Sequence, residues 1–277
     1  MNLFIKKRAL LFGTAVVTAM SLTACGGDGN GPGDLGDRLG INNPSVRFVN
    51  AVPNTSLSLY RNGQNDGLDL MNNIAYSGIT KFRSFKDENS TFSVRSNNAE
   101  VGTAGSINGA KGHRYLAVAF PVTTQSTIPG VSLEVLDDPY NRNTSVAPTV
   151  RLVNAVVNAT PVDVYVTNSD QQLSNPTVPN FEYKTFWPAS GRDSHRLDTR
   201  NGRFRVRITA AGNPGTVLFD SKTINIAPNA DAIITILPTR LTTAGTTASL
   251  PSRGDLKIVF DDGFQGSRGA VEIQDQP

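Results

Sequence analysis

Val46-Arg47-Phe48-Val49-Asn50-Ala51-Val52 and Val150-Arg151-Leu152-Val153-Asn154-Ala155-Val156 are the same heptad with one substitution, 104 residues apart. An exact-register recurrence at that spacing is an internal repeat of domain size. The match runs on as a pattern. Leu57, Leu59 and Tyr60 answer Val162, Val164 and Tyr165, each set alternating with polar neighbours as a strand with one buried face does. Leu133-Glu134-Val135-Leu136-Asp137-Asp138 and Leu256-Lys257-Ile258-Val259-Phe260-Asp261-Asp262 close the two copies with a double Asp.

Between these ends the sequence predicts strands at 80–85, 91–96 and 115–120 in the first copy, and at 181–186, 204–209, 217–226 and 232–237 in the second, separated by turn residues. Short strands with one buried face each are accommodated by two sheets packed face to face. The reading is therefore all-β: a first β-sandwich over 46–138, a linker over 139–149, a second sandwich over 150–262 and a tail over 263–277. Residues 238–253 are expected to form a long loop before the last strand.

The second copy, with Val150 to Ala155 followed by Pro161-Val162-Asp163-Val164-Tyr165-Val166, resembles the bacterial family catalogued as domain of unknown function 4397. Its members open with a Val-Arg-Val-Val-His/Asn-Ala strand and follow with Pro-Val-Asp-Val-Tyr-Val. The first copy departs from the second motif, with Ser56-Leu57-Ser58-Leu59-Tyr60-Arg61 in its place. The resemblance covers 46–262 and implies tandem immunoglobulin-like sandwiches, secretion, and no particular activity.

The first 24 residues have the three parts of an export signal: basic Lys6, Lys7 and Arg8, an apolar run from Ala9 to Met20, and small residues before Cys25. Leu22-Thr23-Ala24-Cys25 resembles a bacterial lipobox, which makes Cys25 the expected lipidation site and a lipid anchor the expected membrane attachment. The resemblance to Gram-negative lipoproteins implies, with Gly26 rather than Asp after the Cys, delivery to the outer membrane, facing either the periplasm or the cell surface. Residues 26–45 hold seven glycines and almost nothing apolar, and read as a flexible tether. Cys25 is the only cysteine, so disulfides and multi-cysteine zinc sites are ruled out within the chain. The formal charge of +3 comes from the export signal: without its three basic residues, 23 remain against 23 acidic ones. Nucleic acid is not an expected partner.

Catalytic chemistry has little to stand on. His113 and His195 are the only histidines, and neither lies in a nucleophile-and-base pattern. Asp137, Asp138, Asn141 and Asn143 offer oxygen ligands for calcium but without a regular loop spacing, and equally suit turns. No cofactor or metal is expected. The most unusual feature is the basic run Arg192, His195, Arg196, Arg200, Arg203, Arg205 and Arg207. Arg203, Arg205 and Arg207 alternate with Phe204, Val206 and Ile208, so a strand there sets three guanidinium groups opposite an apolar face. That face suits an anionic envelope glycan or lipid head group, or is a solvated face balanced by Asp193 and Asp198. The expected function is a non-catalytic, membrane-anchored envelope module that binds a protein or surface glycan. A structural spacer is the alternative, and a hydrolase comes third.

Overall fold

The computed structural model describes residues 43–63, 71–86, 89–122, 130–138, 147–199, 202–228, 230–239, 248–262 and 270–276. The chain is all-β, with no α-helix among the described residues. The first unit contains β1 (Ser45–Asn50), β2 (Ser58–Arg61), β3 (Arg83–Ser84), β4 (Asn89–Ser96), β5 (Ala99–Asn108), β6 (Arg114–Pro121) and β7 (Val131–Asp138). The second contains β8 (Thr149–Asn154), β9 (Val162–Thr167), β10 (Val178–Phe181), β11 (Thr185–Trp187), β12 (His195–Arg196), β13 (Arg203–Ala210), β14 (Asn213–Asn225), β15 (Asp231–Pro238), β16 (Leu256–Asp261) and β17 (Val271–Gln274).

The repeat in sequence is a repeat in topology. In the first unit β3-β1-β6-β7 faces β2-β4-β5, and in the second β11-β8-β15-β16-β17 faces β10-β9-β13-β14. In both, the heptad strand pairs in parallel with a later strand: Val46 lies opposite Tyr115, and Val150 opposite Ala232. Each unit has its own apolar core. Phe48, Leu57, Leu59, Phe92 and Val94 pack in the first, and Leu152, Val164, Phe204, Ile208 and Ile234 in the second.

A third core joins the units. Val49, Ala51, Leu116, Val118, Phe120 and Leu136 of the first pack against Val153, Ala155, Ile233, Leu237 and Val259 of the second. The four sheets therefore stack as layers, with the β1 and β8 sheets in the middle. Strands β1, β6, β8 and β15 are buried on both faces, as parallel strands usually are. This departs from the expectation of one buried face per strand, and the linker does not keep the two units apart. The near-continuous apolar runs Leu116–Phe120 and Ala232–Leu237 are the sequence mark of two-sided burial.

The joint has a pseudo-twofold. Tyr76 in the first unit donates its phenol to the carbonyl of Pro238 at the end of β15; Tyr183 in the second donates to the carbonyl of Pro121 at the end of β6. Arg47 reaches Asp261 at 3.2 Å, and Arg151, its repeat mate, reaches Asp138 at 2.8 Å. Arg114 pairs with Asp231. Burial opposes ionisation of Asp231, but Arg114 and Arg47 more than offset it and hold the carboxyl below its ordinary value. The heptad Asn has a local task in both copies. Asn50 and Asn154 accept hydrogen bonds from the amides of Val52 and Val156, while their amide groups donate to Ile74 and Phe181 carbonyls. That bends the chain out of the strand with its polar groups satisfied.

The structure adds elements the sequence pattern missed. β5 is a ten-residue strand, and β17 lies within the segment read as a tail. The 181–186 region is split into β10 and β11. Residues 240–247 of the expected loop, 139–146 of the linker, and Cys25 with its signal and tether lie outside the described residues.

Candidate functional site

Strand β13 places its apolar set inward: Phe204, Val206 and Ile208 are fully buried. The three arginines between them meet different fates. Arg203 is exposed. Arg205 grips Asp220 with two nitrogens, its Nε lying 2.7 Å from Oδ1. That bond raises the Arg205 pKa. Burial works against the Asp220 carboxylate, but Arg205 and the Lys222 amide more than offset it and hold its pKa below the usual range. Arg207 is buried and donates to Thr167 Oγ1 at 2.8 Å and to the Gln171 carbonyl at 2.5 Å. Burial, followed by the neighbouring Arg205 charge, lowers its pKa. The strand thus exposes one cation and ties two to partners within the chain, and the counter-charge is Asp220 rather than Asp193 or Asp198. Asp220 lies 15 residues from Arg205 along a bulged hairpin, beyond the range of the local charge pattern.

The rest of the basic run disperses. The Arg192 carbonyl accepts a hydrogen bond from Arg151, and Arg196 sits opposite Thr149 on the edge of β8. The His195 ring packs against Trp187 in a tilted arrangement, centroids 4.5 Å apart, where burial lowers its pKa. Arg200 lies outside the described residues.

His113 Nδ1 contacts Asp137 Oδ1 at 2.9 Å. The Asp137 amide donates to Ser190 Oγ of the second unit, and the Gly191 amide donates to the Asp137 carbonyl. Ser190 therefore enters this cluster as an acceptor at a backbone amide, which is not how a nucleophile is held by its base. The cluster ties the units together. Asp138 is buried beneath Arg151 and Arg114, so one of the proposed calcium ligands is already neutralised by guanidinium groups. Asn141 and Asn143 lie outside the described residues.

Sequence reasoning missed one concave feature. A groove of about 280 Å³ opens between β14 and the β16–β17 pair of the second unit. Ile224, Phe260 and Ile273 line it with apolar surface; Thr223, Asn225 and Gln276 line it with polar groups. At the equivalent edge of the first unit β5 lies directly on β7. A Cβ on Gly102 would stand 2.6 Å from the Val131 carbonyl oxygen. Register equates Gly102, opposite Val94, with Phe219, opposite Ile208. Phe219 is fully buried in the core of the second unit, and Val271 and Ile273 of β17 border the groove.

No model of a known protein family matches the chain, and no curated protein matches it.

Proposed function

We propose that the chain is a lipid-anchored bacterial envelope protein, attached through Cys25, that carries a non-catalytic binding module for a surface glycan or protein. The observation that carries the anchored half is Leu22-Thr23-Ala24-Cys25, placed directly after a basic and then apolar segment. The groove of the second unit supports the binding half, since a small concavity with an apolar floor and a few polar groups is the usual form of a ligand site. The engagement of Arg205 and Arg207 by partners within the chain shifts weight from an anionic polymer to a ligand recognised elsewhere. Exposed Arg203 remains the contact an acidic glycan would use.

Cys25→Ser is expected to move the protein from the detergent phase to the aqueous phase in a partition experiment, because that thiol is the only site proposed for lipid. Unchanged partitioning would refute the anchor. The structural-spacer reading draws on the interlocked middle sheets, which make the two units one stiff body. Repeated failure to recover any ligand or partner from solubilised envelope would favour it.

A further inference from the structure

We infer that the free edge of β14 beside the groove binds an extended segment of a partner protein as an added strand, with an apolar side chain in the groove and an acidic one on the Arg203 face. This rests on the reading of the chain as a binding module, and it names the partner as a protein rather than a glycan.

β14 is the last strand of its sheet. Its ladder with β13 is regular over Thr223, Ile224 and Asn225, which lie opposite Arg205, Phe204 and Arg203. The Ile226 amide donates to the Gly202 carbonyl at 2.8 Å. By alternation the Ile224 backbone also faces β13, while the N–H and C=O groups of Thr223 and Asn225 point away from it, along the open edge. Those four groups have no hydrogen-bond partner among the described residues. A row of unpaired backbone groups on a strand edge is a template for another strand. The chain itself uses the neighbouring stretch in this way: the Gln276 amide donates to the Asp220 carbonyl at 3.0 Å, and the Asp220 amide donates to Asp275 Oδ1 at 2.9 Å. Lys222, at φ 52°, separates that covered stretch from the open one.

Side chains then set the partner's pattern. A strand added along Thr223 to Asn225 alternates its faces as β14 does. The residue beside Ile224 turns into the groove of about 280 Å³, against Ile224, Phe260 and Ile273, where an apolar side chain fits. Asp262, the one carboxylate lining the groove, already interacts within the chain. The residue beside Asn225 turns to the other face, which it shares with Arg203. Arg203 is exposed and has no partner among the described residues. Two strand spacings, about 9–10 Å, separate it from the added residue, within the joint reach of an Arg and a Glu side chain. Arg205, opposite Thr223, is held by Asp220 and adds no free charge. The edge therefore suits a segment that places apolar residues on one face and an acidic residue on the other.

The full chain in detergent, labelled at backbone amides and Ile methyls, is titrated with capped Thr-Val-Glu-Val-Thr, which reads alike in both strand directions, and with Thr-Val-Lys-Val-Thr. Glucose and galacturonate are separate arms. The Glu peptide is expected to shift the Thr223 and Asn225 amides saturably, to slow their exchange with solvent, and to move the Ile224 and Ile273 methyls. Methylating its Glu and Val nitrogens should weaken it by about tenfold or more, since the strand then loses its donors. Arg203→Glu, at an exposed position, should weaken the Glu peptide by about fivefold and reverse its preference over the Lys peptide. No shift with either peptide, binding that leaves the Thr223 and Asn225 amides unprotected, or a response to the sugars alone overturns the inference. An unchanged Glu-over-Lys preference in Arg203→Glu overturns it too. Recovery of an envelope partner whose binding spares those two amides removes the strand site and leaves the binding-module reading standing, whereas recovery of none removes both.

Discussion

The two units have the same strand order and almost the same heptad, yet they differ at one edge and agree at one face. At the agreeing face, Val49 and Val153, Ala51 and Ala155, and the two tyrosine-to-proline hydrogen bonds occur as pairs. At the differing edge, Gly102 lets β5 close on Val131, while β14, β16 and β17 border a groove. A face that must fit its own repeat tolerates only self-complementary change, whereas an edge in solvent does not restrict what replaces it. The chain resembles a homodimer fused end to end, with the dimer face kept and the outer edges free to diverge.

The largest test of that comparison separates the units. Residues 43–138 and 147–276 expressed apart would each expose an apolar face, Leu116, Val118 and Phe120 on one and Ile233, Leu237 and Val259 on the other. Neither is expected to persist as a folded soluble monomer, and mixing should restore a one-to-one complex by light scattering. Two stable monomers that ignore each other would show that the shared face contributes little.

The second test asks how far the pseudo-twofold holds energetically. Arg151 is fully buried and satisfies Asp138, the Pro188 carbonyl and the Arg192 carbonyl; Arg47 reaches Asp261, which retains some exposure, and lies over Phe82 at 4.7 Å. Arg151→Met should therefore cost about 3–5 kcal/mol, because it removes the nearer of the two guanidinium groups on a buried carboxylate, along with two carbonyl contacts. Arg47→Met should cost about 1–2 kcal/mol, since water can reach Asp261. Urea denaturation of the two variants checks the order, and equal losses would mean the asymmetry has no energetic weight.

The smallest effect concerns the closed edge. Gly102→Ala places a methyl against backbone rather than a movable side chain, so β5 must retreat, at an expected cost of about 1–3 kcal/mol. Gly105→Ala on the same strand meets open space and should change stability by no more than about 0.5 kcal/mol. Thermal melts of the pair suffice, and a Gly102→Ala variant as stable as Gly105→Ala would show that the edge is loosely packed.

Much of this was legible before any coordinates. The repeat, the all-β class and most strands follow from the heptad and from two-residue alternation. β5 was missed because Ala99-Glu100-Val101-Gly102-Thr103-Ala104-Gly105 is an exposed edge with almost no apolar signal. The parallel pairing of β1 with β6 could not be read either, since alternation reports a strand's faces and not its neighbours. On β13 the sequence assigned the arginines to one side, and the bulged hairpin then brought Asp220 to Arg205.

By itself the sequence determined that this chain has two copies of one β unit, because hydrophobic periodicity and a repeated heptad are local properties written along the chain. Tertiary structure decided which charges are spent internally, which face each unit offers the other, and where a groove opens. Those depend on residues far apart in sequence: Arg47 and Asp261 lie 214 positions apart, as do no two members of a local motif. Only packing brings such groups within reach, and a one-dimensional pattern holds no record of that distance.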